Sequence, residues 1–347
     1  MRPPRIVPRP RVGRPHAPAS ADQRATGSLV ELVRRAWDRR APLRDIGETS
    51  AYRLINGAGD GVPGVTVDYY DGALVANFYD DSVQDAVLCE ALVQTVPCVT
   101  AIYGKRRPRS LSRLSAAQTA ALAPAAPLWG VARPDLIVRE NGLRFEVRPG
   151  DGLSTGLFLD MRDTRAMIRS RAQARTVLNL FAYTCAFGVA ALTGGAARVL
   201  NIDASRRVLE WGRRNYAHNH LVVDDYDFVY GEAFDWLRRL SRRRTQFDLV
   251  ICDPPSFSSV KGRAFSVARQ YGELVAATLP LLPSGGLLLC CANEAGLKRD
   301  AFRAICLQSA RAAGRTARIV HAGGASRIDH PQTAGRDDPL KVILLDV

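Results

Sequence analysis

Segments with the hydrophobic pattern of strands alternate with segments of helical periodicity from residue 160 to residue 345, and this alternation constrains the fold more than any other feature. Strands are predicted at residues 176–180, 198–202, 226–229, 248–252, 286–291, 317–321 and 340–345. Helices are predicted at residues 160–172, 186–192, 205–217, 232–240, 267–281 and 299–313. Repeated strand–helix–strand units imply an α/β fold in which helices cover both faces of a parallel sheet.

The first 130 residues follow a different pattern. Residues 1–20 contain five arginines, six prolines and no acidic residue, a composition that cannot bury a core. We therefore predict a disordered basic arm over residues 1–27, which either contacts RNA or is a variable tail. Residues 28–130 contain short strands around a glycine-rich turn at 57–64 and a basic stretch at 105–109, and we predict a small α+β RNA-binding domain there.

The segment after this domain contains a clear hairpin signal. Residues 136–140 and 143–147 flank Asn141-Gly142, the preferred dipeptide of a two-residue hairpin turn. The hairpin belongs to a connector predicted at 131–150, and the domain with the parallel sheet is predicted to span 151–347. An Ala- and Pro-rich stretch at 116–127 is predicted to be a linker or an exposed loop.

Composition narrows the class of protein. The chain has 48 Lys and Arg against 34 Asp and Glu, a net charge of +14, and because the charge is clustered it favours a nucleic-acid partner. No run of 18 apolar residues occurs, so we expect no membrane span and no membrane partner. The seven cysteines lack zinc-site spacing, so we expect reduced cysteines, no metal and a cytoplasmic protein.

Acidic residues follow three of the predicted strands at one edge of the sheet. Asp203 ends the second strand, Glu232 follows the third, and Asp253-Pro254-Pro255 follows the fourth. Open α/β sheets bind ligands at this carboxyl edge, where an acid after the second strand can hold ribose hydroxyls. Asp203 alone would also fit a helix cap. The loop at 179–188 lacks G-x-G-x-x-G, which favours a nucleoside cofactor without phosphates.

Several further blocks occur in the order that is typical of one known family. They lie at residues 52–56, 59–64, 155–165, 179–184, 209–215 and 253–257. Over roughly residues 45–345 the chain resembles class I S-adenosylmethionine-dependent methyltransferases, above all the bacterial ribosomal RNA large-subunit enzymes that methylate cytosine C5 or guanine N7. The resemblance implies S-adenosyl-L-methionine as cofactor. It also implies a Rossmann-like, seven-stranded, mostly parallel sheet whose last strand is antiparallel.

The resemblance also implies which residues bind the cofactor. In chain order they are Phe158, Asp160, Arg162, Asn179, Phe181, Tyr183, Thr184, Asp203, Ala204, Ser205, Glu232, Ala233 and Asp253. The first three would border the cofactor. Asp203 and Ser205 would hold the ribose, and Glu232 the adenine.

The implied catalytic residues surround the Asp-Pro-Pro turn. They are Asp253, Pro254, Pro255, Phe257 and Asn293, with Cys291 as an outside candidate. Asp253 would lie near the reacting methyl group, and Phe257 would stack on a base. Two features depart from the family pattern, because residues before 28 are too few for the usual PUA domain and Met161 stands where a Gln is usual.

The two target bases require different chemistry. Cytosine C5 needs a thiolate that first adds to C6, whereas guanine N7 already offers a lone pair and needs only alignment. Counting from Gly285-Gly286 without a gap, Asn293 falls where the cytosine enzymes have their cysteine. This favours guanine N7, and a shift of two residues would be needed to bring Cys291 into that place.

The leading functional hypothesis is therefore a methyltransferase that modifies a base of 23S ribosomal RNA, free or in a ribosomal assembly intermediate. One alternative keeps the cofactor but replaces RNA with a small molecule or a protein. Another is a non-catalytic RNA-binding protein with this fold. The sequence leaves the oligomeric state open, a homodimer included.

Overall fold

The structure is a computed structural model that describes the backbone of residues 21–107, 116–255, 257–260 and 263–347. Side chains are described for the same residues except 21–27, 116 and 257–269. Residues 1–20 of the predicted basic arm lie outside this description. The first helix begins at Ala21, so residues 21–27 are helical and the prediction of a disordered arm is wrong for them.

The N-terminal domain is a five-stranded sheet with helices on one face. Its helices are α1 (Ala21–Arg39), α2 (Ala41–Arg44) and α3 (Asp85–Thr95), and its strands are β1 (Ala51–Asn56), β2 (Val65–Tyr70), β3 (Ala73–Phe78), β4 (Ala101–Arg106) and β5 (Trp129–Gly130). The strands lie in the order β1-β2-β3-β4-β5. All neighbours are antiparallel except β3 and β4.

The two faces of this sheet have different partners because strand side chains alternate between faces. Leu74 and Ile102 pack with Val33 of α1 and Leu88 of α3. Tyr70, Val75 and Tyr103 lie on the opposite face and pack against apolar residues of the hairpin and the C-terminal domain. The second face thus attaches the small domain to the rest of the molecule.

The segment between β4 and β5 contains a helix that was not predicted. Residues 116–122 form α4 (Ala116–Leu122), so the prediction of a linker or exposed loop is wrong there. The Ala-rich composition that resembles a linker also has the highest helix propensity, and the following Ala123 is buried. The predicted hairpin is confirmed as β6 (Leu136–Glu140) and β7 (Leu143–Val147), with Asn141 and Gly142 at φ values of 49° and 79°.

The C-terminal domain contains the predicted seven-stranded sheet. Its helices are α5 (Arg162–Arg171), α6 (Ala186–Thr193), α7 (Arg206–His218), α8 (Ala233–Arg242), α9 (Val267–Thr278) and α10 (Arg299–Ala312). Its strands are β8 (Thr176–Leu180), β9 (Arg198–Asp203), β10 (Phe228–Tyr230), β11 (Leu249–Cys252), β14 (Leu287–Asn293), β15 (Arg318–Gly323) and β16 (Leu340–Asp346). A separate two-stranded hairpin, β12 (Phe257–Val260) and β13 (Arg263–Ser266), lies between β11 and α9.

The sheet has the order β10-β9-β8-β11-β14-β16-β15. Every pair from β10 to β14 is parallel, whereas β16 is antiparallel to both of its neighbours. The predicted fold class is therefore confirmed, including the antiparallel last strand. Central strands such as β11 are apolar throughout because helices cover both faces, and both faces of a parallel sheet are then buried.

Candidate active site

The carboxyl ends of β8, β9, β10, β11 and β14 surround a cavity of about 1020 Å³. Its volume lies at the upper end of the roughly 300–1,000 Å³ that is typical of small-molecule sites. Thirteen of the residues predicted to bind cofactor or to act in catalysis line it: Phe158, Asp160, Phe181, Tyr183, Thr184, Asp203, Ala204, Glu232, Ala233, Asp253, Pro254, Pro255 and Asn293. The fold thus brings most of the predicted site together in one cavity.

Asp203 ends β9 and points its carboxylate at two backbone amides. The amide N–H of Tyr183 donates to Oδ2 at 2.9 Å, and that of Ser205 donates to Oδ1 at 2.9 Å. Burial raises the pKa of Asp203, and these backbone donors lower it. Because a carboxylate oxygen can accept a second hydrogen bond, Asp203 keeps capacity for hydroxyl groups of a ligand in the cavity.

The loop after β8 has an unusual backbone. Phe181, Tyr183 and Cys185 have φ values of 56°, 49° and 59°, in the left-handed region that non-glycine residues rarely adopt. Such conformations persist where the surroundings enforce them, commonly at functional sites. Here the loop is tied to Asp203 through the Tyr183 amide and to the 155–165 block through Thr184, whose Oγ1 donates to the Gly156 carbonyl at 2.6 Å.

Gly156 itself has no room for a side chain. Its φ is 105°, and a Cβ atom there would lie 2.3 Å from Cζ2 of Trp211. Glycine is therefore required at this position for the segment to pass between α7 and the cavity. The segments at 155–165 and 209–215 therefore pack directly against each other.

Glu232 serves at least one structural purpose. It is the N-cap of α8, and its Oε2 accepts a hydrogen bond from the Asp235 amide at 3.1 Å. Both it and Ala233 also line the cavity. Capping by one oxygen holds the side chain in place and leaves the second oxygen for another partner.

Asp253, at the end of β11, is electrostatically the most perturbed residue of the cavity wall. Burial is the main cause that raises its pKa to about 7, the neighbouring Asp160 carboxylate raises it further, and Arg165 opposes both. Asn293, at the end of β14, donates from Nδ2 to Oδ2 of Asp160 at 2.7 Å. A carboxyl group that titrates near neutral pH is a candidate for a functional role.

Arg162, Asn179 and Ser205 do not line the cavity with the other predicted residues. Arg162 is buried and forms a bidentate ion pair with Asp329 at 2.7 and 3.0 Å. The Asn179 side chain donates to Asn201 at 2.9 Å inside the sheet. Ser205 is the residue before α7. These positions lie beside the site and support it rather than form its surface.

Cys291 also lies away from the cavity. It is fully buried in the core on one face of β14, and Cys290 is fully buried on the other. Burial raises the pKa of the Cys291 thiol well above its usual value, which opposes formation of a thiolate. The side chain of Phe257 lies outside the described residues, so its predicted stacking stays a prediction.

Four polar residues of the cavity wall were not identified from the sequence. They are Tyr79, Asp80, Arg107 and Arg165. Arg165 forms a buried bidentate ion pair with Glu140 at 2.7 and 2.6 Å and donates to the Phe158 carbonyl at 2.7 Å. The other three come from the small domain, where the basic stretch at 105–109 was the only sequence signal.

The cavity fits a nucleoside cofactor. Apolar walls from Phe181, Phe187 and Ile202 suit a flat ring, and the Asp203 carboxylate lies where ribose hydroxyls are expected. No group of three or more His, Cys, Asp or Glu in the described part of the chain could hold a metal ion. None of the helices in that part has the length and apolar character needed to cross a membrane.

The fold and the cavity define a class I methyltransferase. Residues 52–328 match the S-adenosylmethionine-dependent methyltransferase family, and the chain belongs to this family. It is an S-adenosylmethionine-dependent enzyme, and it is related to bacterial ribosomal RNA large subunit methyltransferases.

Individual relatives cover most of both chains. The Bacillus subtilis (strain 168) protein provisionally named ribosomal RNA large subunit methyltransferase YwbD is 34% identical over 278 residues, which are 79% of this chain and 69% of the relative. Ribosomal RNA large subunit methyltransferase I of Serratia proteamaculans (strain 568) is 33% identical over 82% of this chain and 70% of its own. The crystal structure of SMU.776 complexed with SAH has a TM-score of 0.82 and 28% identity, covering 93% of this chain and 82% of that one.

Proposed function

We propose that this protein transfers a methyl group to a base of 23S ribosomal RNA, and that guanine N7 rather than cytosine C5 is the acceptor. The RNA target is supported by relatives whose names designate ribosomal RNA large subunit methyltransferases. The net charge of +14 supports it independently, since neutralising phosphates drives RNA binding.

The choice of guanine over cytosine rests on where the cysteines lie. All seven cysteines are described, and none lines the cavity. Asn293, which the resemblance aligns with the cysteine of the cytosine enzymes, lines the cavity, whereas Cys291 is buried and burial raises its pKa. Without a thiolate that can add to C6, the cytosine reaction lacks its first step.

Guanine N7 requires less from the protein. When bound, S-adenosylmethionine supplies an electrophilic methyl group that an N7 lone pair can accept without loss of a proton. The residues of the cavity then act by orienting the two reactants. Asp203 and Glu232 hold the cofactor, while the rigid turn at Pro254 and Pro255 limits where the base can lie. An ionised Asp253 would stabilise the positive charge that develops on the methylated ring.

Nucleoside analysis tests this proposal directly. We expect 23S RNA from a strain that lacks this gene to lack one 7-methylguanosine in mass spectra, and the wild-type gene to restore it. The Cys291→Ala variant should restore it equally well, because the buried thiol takes no part. Loss of 5-methylcytidine instead, or failure of Cys291→Ala to complement while the protein still folds, would move the assignment to cytosine C5.

A further inference from the structure

A second, smaller cavity lies between the small domain and the segment at 153–160. Its volume is about 190 Å³, below the roughly 300–1,000 Å³ of sites for drug-sized ligands, so it suits a single ring or a phosphate group. Tyr79, Arg107, Phe158, Asp160 and Asn293 line both cavities. The two spaces therefore meet beside the residues that surround the reaction centre.

Arg107 brings a positive charge to this junction without a carboxylate partner. Its Nε donates to Oδ1 of Asn77 at 2.8 Å and its Nη2 donates to the Leu153 carbonyl at 2.6 Å, both neutral acceptors. Within the described part of the chain it forms no ion pair with a carboxylate. Burial lowers the pKa of Arg107, and the nearby Tyr79 and Asp68 oppose this shift only in part. Residues 108–115 contain no Asp or Glu that could compensate it.

A second cation, Lys105, lies close to Arg107. Lys105 lies on β4 and precedes Arg107, the residue that directly follows this strand, by two positions. Its side chain is fully buried, and Nζ has no hydrogen-bond partner among the described residues. Burial and the charge of Arg107 lower the pKa of Lys105 to about 7. Lys105 lines neither cavity, so the half-buried Arg107 is the cation that a ligand at this junction could contact. Asp68 and Asp160 also line the smaller cavity, but neither forms an ion pair with Arg107, and a cation without an ion-pair partner favours an anionic ligand.

Two exposed aromatic rings lie at the same place. Tyr79, just after β3, is 52% exposed and Phe158 is 51% exposed, so both rings are accessible to a ligand. The Phe158 ring also contacts the Tyr183 ring, with centroids 5.2 Å apart. Enzymes that modify a base take it out of its stack and hold it against aromatic or apolar side chains.

We propose that the junction between the two domains binds the target nucleotide of the RNA, with Arg107 as ligand of its phosphate and Tyr79 as a stacking surface for its base. This inference rests on the proposed RNA methylation. It assigns to the small domain a direct part in substrate positioning, since both residues reach the cavity from that domain. Arg107 and Tyr79 are positioning residues in this scheme, because neither transfers the methyl group or a proton.

Arg107→Gln, compared with Arg106→Gln, tests the phosphate contact. Arg106 is the matched control because it lies on the opposite face of β4 and pairs with Asp85 at 2.7 and 2.9 Å. We expect Arg107→Gln to lower kcat/KM for undermethylated 23S RNA by about 10- to 100-fold, the range for lost charge-assisted hydrogen bonds. Its binding of S-adenosylmethionine, measured by calorimetry without RNA, should stay within about twofold of wild type. Arg106→Gln should change neither quantity by more than about twofold.

The salt dependence of RNA binding gives a readout that a purely structural role would not move. Each phosphate contact contributes about 0.7 to the slope of log K against log salt for single-stranded RNA. The slope for Arg107→Gln should fall by about that amount, and Arg107→Lys should keep the slope because it keeps the charge. Weakened S-adenosylmethionine binding by Arg107→Gln in the absence of RNA would overturn the inference and assign the cation to the cofactor carboxylate.

Tyr79→Ala tests the stacking contact with little risk to folding, because the ring is exposed. We expect a loss of about 10-fold or more in kcat/KM for RNA, since stacking one base on one ring contributes about 1–3 kcal/mol. Tyr79→Phe should retain activity. Equal activity of Tyr79→Ala and wild type would overturn the stacking role. If the wild-type protein itself failed to methylate ribosomal RNA, the proposed function would be wrong. If the wild type methylated ribosomal RNA and Arg107→Gln did so equally well, only the role of Arg107 would be wrong.

Discussion

At the scale of single residues, Asp253 is the cavity residue whose charge changes near neutral pH. Burial and the Asp160 carboxylate raise its pKa to about 7 in the free protein. Below this pH the group is neutral, and above it the group is a carboxylate that faces the cavity. Methylation of guanine N7 leaves a positive charge on the base, so the ionised form should be the active one.

We therefore expect kcat/KM for RNA to rise with pH and to level off above about 7, because this parameter reports the free enzyme. Asp253→Asn should lower the plateau by about 10- to 100-fold and abolish the rise, whereas cofactor binding should change much less. Rates measured between pH 5.5 and 8.5 check this. A rise of the same shape in Asp253→Asn would assign the titration to another group.

Asp203 carries a separate prediction about the cofactor. Its carboxylate accepts backbone hydrogen bonds and lies on the cavity wall. Asp203→Ala should weaken S-adenosylmethionine binding by about 1–3 kcal/mol, the cost of leaving polar partners unsatisfied. Calorimetric titration measures it, and Glu210→Ala, which removes an exposed acid on α7 outside the cavity, is the control. An unchanged dissociation constant would exclude Asp203 from the ribose contact.

Site residues could be predicted from the sequence where they directly follow a predicted strand, because the end of the strand then fixes where they lie. Asp203, Glu232 and Asp253 follow parallel strands, and the carboxyl ends of such strands meet at one edge. Arg162 illustrates the opposite case, because its partner Asp329 is 167 residues away and no local pattern indicates the pair. Arg107 reaches the cavity from another domain, so only the packing of the two domains shows its role.

At the scale of elements, prediction succeeded where one pattern dominated. The hairpin at 136–147 agrees residue for residue because alternation and Asn141-Gly142 point to the same structure. The β12–β13 hairpin was not predicted, because four-residue strands offer too short a pattern next to the Asp-Pro-Pro turn. α4 was missed because alanines are common in linkers and in helices alike.

β4 carries a prediction about stability, because it buries the ammonium group of Lys105. The pKa of Lys105 is about 7 in the folded protein and about 10.4 when unfolded. Between these values the unfolded chain binds more protons, so the stability of the wild type should rise with pH from about 7 to about 10.4. The penalty of the buried charge is complete below this window.

Lys105→Met should remove that penalty. We expect the free energy of unfolding to increase by about 1–4 kcal/mol at pH 7, the range for replacing buried charges with apolar side chains. The increase should shrink toward pH 10. Urea denaturation at several pH values measures both effects. Lower stability at pH 7 would show that Nζ has a favourable partner in the native state.

At the scale of the whole molecule, the loop around Asp329 connects the two domains. Its carboxylate pairs with Arg162 of the catalytic domain, and its carbonyl accepts from Nη2 of Arg40 at 2.9 Å. Nearby, the Asn56 side chain donates to the Pro331 carbonyl at 2.9 Å. At Gly59 a Cβ atom would lie 1.9 Å from that oxygen. This close packing holds the small domain so that Arg107 and Tyr79 face the cavity.

Asp329→Ala should therefore destabilise the whole protein. Removing Asp329 leaves the buried Arg162 guanidinium with only the exposed Asp163 carboxylate as ion-pair partner, and breaking a buried pair costs about 3–5 kcal/mol. Arg162 and the adjacent His330 hold the pKa of Asp329 well below its usual value, although burial opposes them. The stability that this pair contributes is thus present above the unfolded pKa of about 4 and is lost as the pH falls through the lower folded value.

Glu31→Ala, which removes an exposed pairing with Arg34 and Arg35 on α1, should cost less than about 1 kcal/mol. Urea denaturation at pH 7 compares the two variants, and similar losses in both would mean that the Asp329 ion pair does not stabilise the domain junction.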